Sequence, residues 1–99
     1  MKKKEIKILL VDDEQDILEI VGYNLSQEGY QIVTATNGRE AIAKAKKELP
    51  QIIIMDVMMP EMDGMEACEN IRRIPELQDT IITFLTARSE DYSQVAGFD

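Results

Sequence analysis

No histidine occurs among the 99 residues. Ser-His-Asp and Cys-His catalysis, the common histidine-containing zinc sites and a phosphohistidine on this chain are thereby excluded. The chain has one cysteine, Cys68, so no internal disulfide forms and nothing points to a secreted, stapled scaffold. Cys68 reads as a small helix-packing residue. Positive charge is scarce: 11 Lys and Arg face 19 Asp and Glu, a net charge of −8. A balance this acidic argues against direct contact with nucleic acid, which needs clustered Lys and Arg. Long apolar runs are missing too, none nearing the roughly 18 residues of a membrane span. Lys2, Lys3 and Lys4 precede a run that Lys7 interrupts and that Asp12 and Asp13 end, too short and too charged for a leader's apolar region. The expectation is a soluble, cytoplasmic protein whose chemistry is that of carboxylates.

The residues that are present describe one domain over 1–99. Apolar residues are 44% and charged residues 30% of the chain, with 5 Gly and 3 Pro, a globular balance. A chain of this length buries about two-thirds of the surface its unfolded form exposes, enough for a core. Four short apolar runs alternate with helical patterns. Residues 6–11 read as a strand buried on both faces. Ile17, Leu18, Val21 and Leu25 mark one face of a helix that Gly29 stops. Residues 31–36 form a weaker strand. Asn37 with Glu40 resembles a capping box opening a helix through Ala41, Ile42 and Ala45, closed by Pro50.

Ile52, Ile53, Ile54 and Met55 make the most apolar strand, which runs straight into Asp56. A loop over 57–63 leads to a helix carrying Met65, Cys68 and Ile71, closed before Pro75. Residues 81–85 are the fourth strand, and Ser89 caps a last helix through Val95. Strands separated by helices imply right-handed βαβ units and a parallel sheet.

In such open α/β sheets, ligands bind beyond the carboxyl ends of the strands. Those ends carry Asp12 and Asp13, Thr36, Asp56, and Thr86. Carboxylates brought together there repel by about 4 kcal/mol per pair at 4 Å in a near-surface medium, so the cluster stays ionised only around a cation. All-oxygen donors suit Mg²⁺, and a remaining carboxylate, Asp56, can act as a nucleophile toward phosphorus. Thr86 offers a hydroxyl to the transferred group. The plainer alternative makes Asp12 or Asp13 the N-cap of the first helix and Asp63 that of the third. For Asp63 capping is the preferred reading. An Asp closing an Ile-Ile-Ile-Met strand is harder to dismiss, because an unpaired carboxylate there is costly.

Three segments carry a family resemblance: Leu9-Leu10-Val11-Asp12-Asp13-Glu14, then the run from Asp56 through Val57-Met58-Met59-Pro60-Glu61-Met62 to Asp63-Gly64, then Leu85-Thr86-Ala87-Arg88. In this order and spacing they resemble the receiver domain of bacterial two-component response regulators, over essentially the whole chain. The resemblance implies a flavodoxin-like, doubly wound α/β sheet of order 2-1-3-4. It implies phosphorelay signalling, with Asp56 as phosphoacceptor for a sensor histidine kinase and Thr86 as the switch hydroxyl. It implies Mg²⁺ held by Asp13, by Asp12 through water, by Asp56 and by the main-chain carbonyl of Met58. Pro60 and Gly64 would shape the loop, and Glu14 reads as first-turn helix charge.

The chain departs from the family where a fifth strand with a Lys-Pro, and then a fifth helix, are expected. No lysine follows Lys47. A C-terminally incomplete receiver domain is therefore expected, with the fourth strand exposed to self-association and with incomplete switching. The intact protein is expected to continue, with a C-terminal DNA-binding effector domain; Met58 and Arg88 resemble the winged-helix transcription-factor class. Two other readings fit less well. A phosphohydrolase using an aspartyl phosphate needs an acid–base Asp two residues after the nucleophile, where Met58 stands. A nucleotide binder needs a Gly-rich loop after the first strand, where Asp12-Asp13-Glu14 would repel phosphate. A signalling switch rather than an enzyme is the reading retained.

Overall fold

The computed structural model describes residues 2–59 and 61–85. A 3₁₀ turn at Lys3–Glu5 leads into β1 (Lys7–Val11), α1 (Gln15–Gln27), β2 (Gln31–Ala35) and α2 (Gly38–Glu48). The chain continues through β3 (Ile52–Asp56), α3 (Gly64–Arg72), a 3₁₀ turn at Pro75–Leu77 and β4 (Ile81–Leu85). All strands are parallel, in the order β2-β1-β3-β4. This is the parallel α/β sheet that the alternation of apolar runs implied, in the flavodoxin-like order 2-1-3-4 that the family resemblance implied. The expected final helix from Ser89 lies outside the described residues.

Period-two alternation sorts the strand residues onto two faces, as the pleat requires. Leu9, Val11, Ala35, Ile53 and Met55 face α2 and α3, where Ala41, Ala45, Ala67 and Ile71 meet them. Ile8 and Leu10 face the other way onto Leu18 of α1, with Val21, Leu25, Ile32 and Ile54 packed around them. β1, central and covered on both sides, is therefore the near-continuous apolar run seen in the sequence. Small residues on α2 and α3 let those helices lie close to the sheet. Each large aliphatic side chain buried here contributes about 1.5–3 kcal/mol.

Two strand bounds shift by one residue, for identifiable reasons. The N–H of Ile6 donates to the Lys3 carbonyl at 2.9 Å, closing the 3₁₀ turn instead of extending the ladder. The N–H of Thr36 is taken by Glu40 Oε1 at 2.6 Å, which ends β2 at Ala35. The anticipated capping box is thus offset. Asn37 Oδ1 accepts from the Glu40 N–H at 2.8 Å, while the Glu40 carboxylate reaches past Asn37 to Thr36. Gly29 follows α1 at φ 105°, as a helix-stopping glycine should.

The register fixes what stands at the mouth of the sheet. Val11 pairs with Ala35 on one side and Met55 on the other, and Asp56 pairs with Leu85. One further rung, from the Asp12 N–H to the Ala35 carbonyl at 3.1 Å, carries the ladder to the start of the acidic pair. Asp12 and Asp56 are thereby delivered by backbone hydrogen bonds, not by loop flexibility.

Candidate metal and phosphoacceptor site

Asp12, Asp13 and Asp56 each place one carboxylate oxygen within 4.8 Å of the others. Among the described residues this is the cluster of acidic groups suited to a metal ion. Asp12 is 2% and Asp56 6% exposed, whereas Asp13 stands in solvent. Pairs of like charges at this separation repel by about 3–4 kcal/mol in a near-surface medium.

The hydrogen bonds around the cluster are few and one-sided. Asp12 Oδ1 accepts from the Glu14 N–H at 2.8 Å. Among the described residues, the buried Asp12 Oδ2 has no partner. Asp56 Oδ1 accepts from the Met58 N–H at 3.1 Å. Burial pushes the Asp12 carboxyl up to about 6; the Glu14 N–H opposes this, and Asp56, Asp13 and Glu14 add to it. Burial likewise raises Asp56, the Met58 N–H pulls it back, and Asp13 and Glu14 push it further up. Both shifts are those of carboxylates short of positive charge.

The capping alternative can now be decided residue by residue. Glu14 occupies the N-cap of α1, and no side chain caps that helix. Asp12 satisfies only the Glu14 N–H, with its second oxygen left over. Asp63 is a true N-cap: its Oδ1 accepts from the Glu66 N–H at 2.8 Å, and it lies outside the cluster. Met58 follows Asp56 with its side chain exposed. Thr86 lies outside the described residues.

Gly64 holds the loop against the strand. Its N–H donates to the Val57 carbonyl at 2.9 Å, and a Cβ built on it would overlap the Asp56 carbonyl oxygen. No residue but glycine fits that approach. Met59 turns inward, packing in the α2–α3 core with Met62 against it.

The donor set fits a hard divalent cation. It is all oxygen, it is anionic, and the orphaned Asp12 Oδ2 is a buried acceptor that a cation or its bound water would satisfy.

The described residues thus form an open parallel sheet with a carboxylate triad at its carboxyl end, one member closing a central strand. The chain belongs to the response regulator receiver domain family, whose model matches residues 8–99. Members of this family are phosphorelay signalling switches that bind Mg²⁺ at their acidic pocket. The alkaline phosphatase synthesis transcriptional regulatory protein PhoP of Bacillus subtilis is 43% identical over 93 residues, covering 94% of this chain and 38% of that protein. The probable transcriptional regulator ycf27 of Pyropia yezoensis is 38% identical over 99 residues, 100% of this chain and 40% of that one. The chain thus spans about two-fifths of the length of these two relatives.

Solved structures agree on the fold. The chemotaxis response regulator CheY4 of Vibrio cholerae superposes with a TM-score of 0.81 at 38% identity, over 93% of this chain and 77% of that one. The response regulator TrrA of Thermotoga maritima, solved in complex with Mg(2+)-BeF, gives 0.78 at 38% identity, over 94% and 79%. Among the described residues, no helix is long and apolar enough to cross a membrane.

Proposed function

We propose that this chain is a Mg²⁺-dependent phosphoacceptor switch whose acceptor is Asp56. The observation that supports it most directly is the carboxylate triad, with one buried oxygen that has no partner among the described residues. Asp12, Asp13, Asp56 and the main-chain carbonyl of Met58 would hold the ion. Bound there, Mg²⁺ would neutralise charge on the phosphoryl group in transit.

Asp56 is the acceptor because it alone of the three closes a central strand and opens the loop over 57–63. One of its oxygens attacks phosphorus in line, a P–O bond forms as the donor's P–N bond breaks, and the electron pair leaves on the donor's imidazole nitrogen. Asp13, the exposed member, faces the solvent from which both ion and donor arrive. The donor is a sensor histidine kinase. Thr86 is the hydroxyl that answers the added charge of about −1.5 to −2. The relatives named as transcriptional regulators support relay of that change to a DNA-binding effector domain. The Mg(2+)-BeF complex of the Thermotoga protein supports the same ion here.

Treatment with acetyl phosphate and Mg²⁺, read by intact mass, tests the assignment. A gain of one phosphoryl group is expected, lost on chelation and lost in Asp56→Asn. A full adduct in Asp56→Asn would place the acceptor elsewhere.

A further inference from the structure

Only Thr36 and Asn37 separate β2 from α2, and this short corner touches both halves of the carboxylate site. On one side the Ala35 carbonyl accepts from the Asp12 N–H at 3.1 Å. On the other, Gly38 lies against Met62 in the loop that follows Asp56. A Cβ built on Gly38 would stand 2.9 Å from Met62 Cγ and Sδ and 3.0 Å from Met62 Cβ. Carbon atoms do not approach so closely, and because Met62 Cβ is itself in contact, turning the thioether aside does not relieve the overlap. The main chain at Met62 or the start of α2 would have to give by a few tenths of an ångström.

The corner itself is stiff. Asn37 Oδ1 holds the Glu40 N–H at 2.8 Å, Glu40 Oε1 holds the Thr36 N–H at 2.6 Å, and the Asn37 carbonyl accepts from the Ala41 N–H at 2.9 Å. The loop it meets is under tension. Glu61, next to Met62, sits at φ 68°, a conformation that a non-glycine residue keeps only when its surroundings impose it. Met62 is the adjacent apolar anchor, packed against the core.

We infer that Gly38 is a positioning residue for the cation site. Its missing side chain seats Met62, and residues 35–38 thereby fix the spacing between the Asp12 carboxylate and the main chain of the 57–63 loop. This rests on the Mg²⁺ reading above. Gly38 is outside the left-handed region, so alanine is allowed on backbone grounds and at a helix start is ordinarily neutral or stabilising. A loss on substitution therefore reports the contact with Met62.

The test uses the 99-residue chain and two readouts: Mg²⁺ affinity from amide shifts, and amide exchange at Gly64 in metal-free protein. Gly38→Ala should weaken Mg²⁺ binding about 10-fold, in the range typical of supporting residues around a metal. It should also speed exchange of the Gly64 N–H while leaving β1 amides unchanged. Met62→Ala should weaken binding too, and the double variant should be no worse than the poorer single, since both break one contact. Unchanged affinity in Gly38→Ala, or losses that multiply in the double variant, overturns the inference. Where Gly38→Ala does not fold, Met62→Ala decides alone, and wild-type affinity there overturns it. A wild-type chain that ignores Mg²⁺, with Asp13→Asn no different, would sink the metal reading instead. Exchange at Gly64 still decides the contact in that case.

Discussion

The two ends of the β-sheet are built on opposite terms. Where the strands begin, polar groups are matched. The Lys7 N–H meets Gln51 Oε1 at 2.6 Å, the Lys7 ammonium meets Glu48 at 2.9 Å, and the buried Thr80 hydroxyl donates to the Pro50 carbonyl at 3.0 Å. Backbone bonds from Gln51 to Lys7 and from Ile81 to Gln51, each 3.0 Å, close the same end. Where the strands finish, three carboxylates share a mouth, one buried oxygen has no partner among the described residues, and Glu61 is held in the left-handed region. One end contributes stability. The other stores an electrostatic cost that a cation and a phosphoryl group can relieve.

The largest expected effect tests whether the mouth has any slack. Gly64→Ala forces a methyl into the Asp56 carbonyl, and overpacking of main chain against main chain should cost about 3 kcal/mol. Urea unfolding measures it; a loss under 1 kcal/mol would mean the loop yields freely.

Next in size is the cost stored on Asp12. Its carboxyl titrates near 6 in the fold against an ordinary 3.8, so the folded chain binds that proton more tightly than the unfolded one. Stability from this group is therefore full below pH about 4 and falls as pH rises toward 6. In chelator, the chain should melt higher at pH 5 than at pH 7. Asp12→Asn should gain about 1–3 kcal/mol at pH 7 and flatten that dependence. A destabilised Asp12→Asn would show that the mouth is not strained at all.

A smaller effect belongs to the matched end. Thr80→Val leaves the Pro50 carbonyl without its donor and should cost about 1 kcal/mol, with Mg²⁺ affinity unchanged. A change in Mg²⁺ affinity there would break the division between the two ends.

The fold was legible because its signals are local. Apolar runs of the right length place the four described strands to within a residue, and a glycine after α1 and a proline after α2 mark where those helices stop. β2 was the weakest reading because it is an edge strand, half covered, with exposed Gln31 at its start. The site was legible for a different reason. Topology alone brings strand ends together, so Asp12, Asp13 and Asp56 could be joined without coordinates. What no local pattern revealed was how oxygens and side chains pair across the mouth. That the Glu14 N–H takes only one Asp12 oxygen is a matter of side-chain direction. That Gly38 lies on Met62 joins residues twenty-four positions apart with no shared motif. The Asn37–Glu40 pairing was visible as a spacing, but its offset to Thr36 was not.

Leu49 offers an engineering handle. It closes α2 at φ 49° and ψ 58°, a shape suited to glycine or asparagine, while its side chain is 46% exposed. The strain is thus poorly compensated by burial, and Leu49→Asn should raise the melting temperature through a gain of about 0.5–1 kcal/mol. Leu49 lies among residues of the opposite rim, with Pro50, Gln51 and Thr80. A designer could therefore raise the thermal ceiling of this domain without retuning its chemistry, an independent dial that a protein strained only at its reactive end would lack.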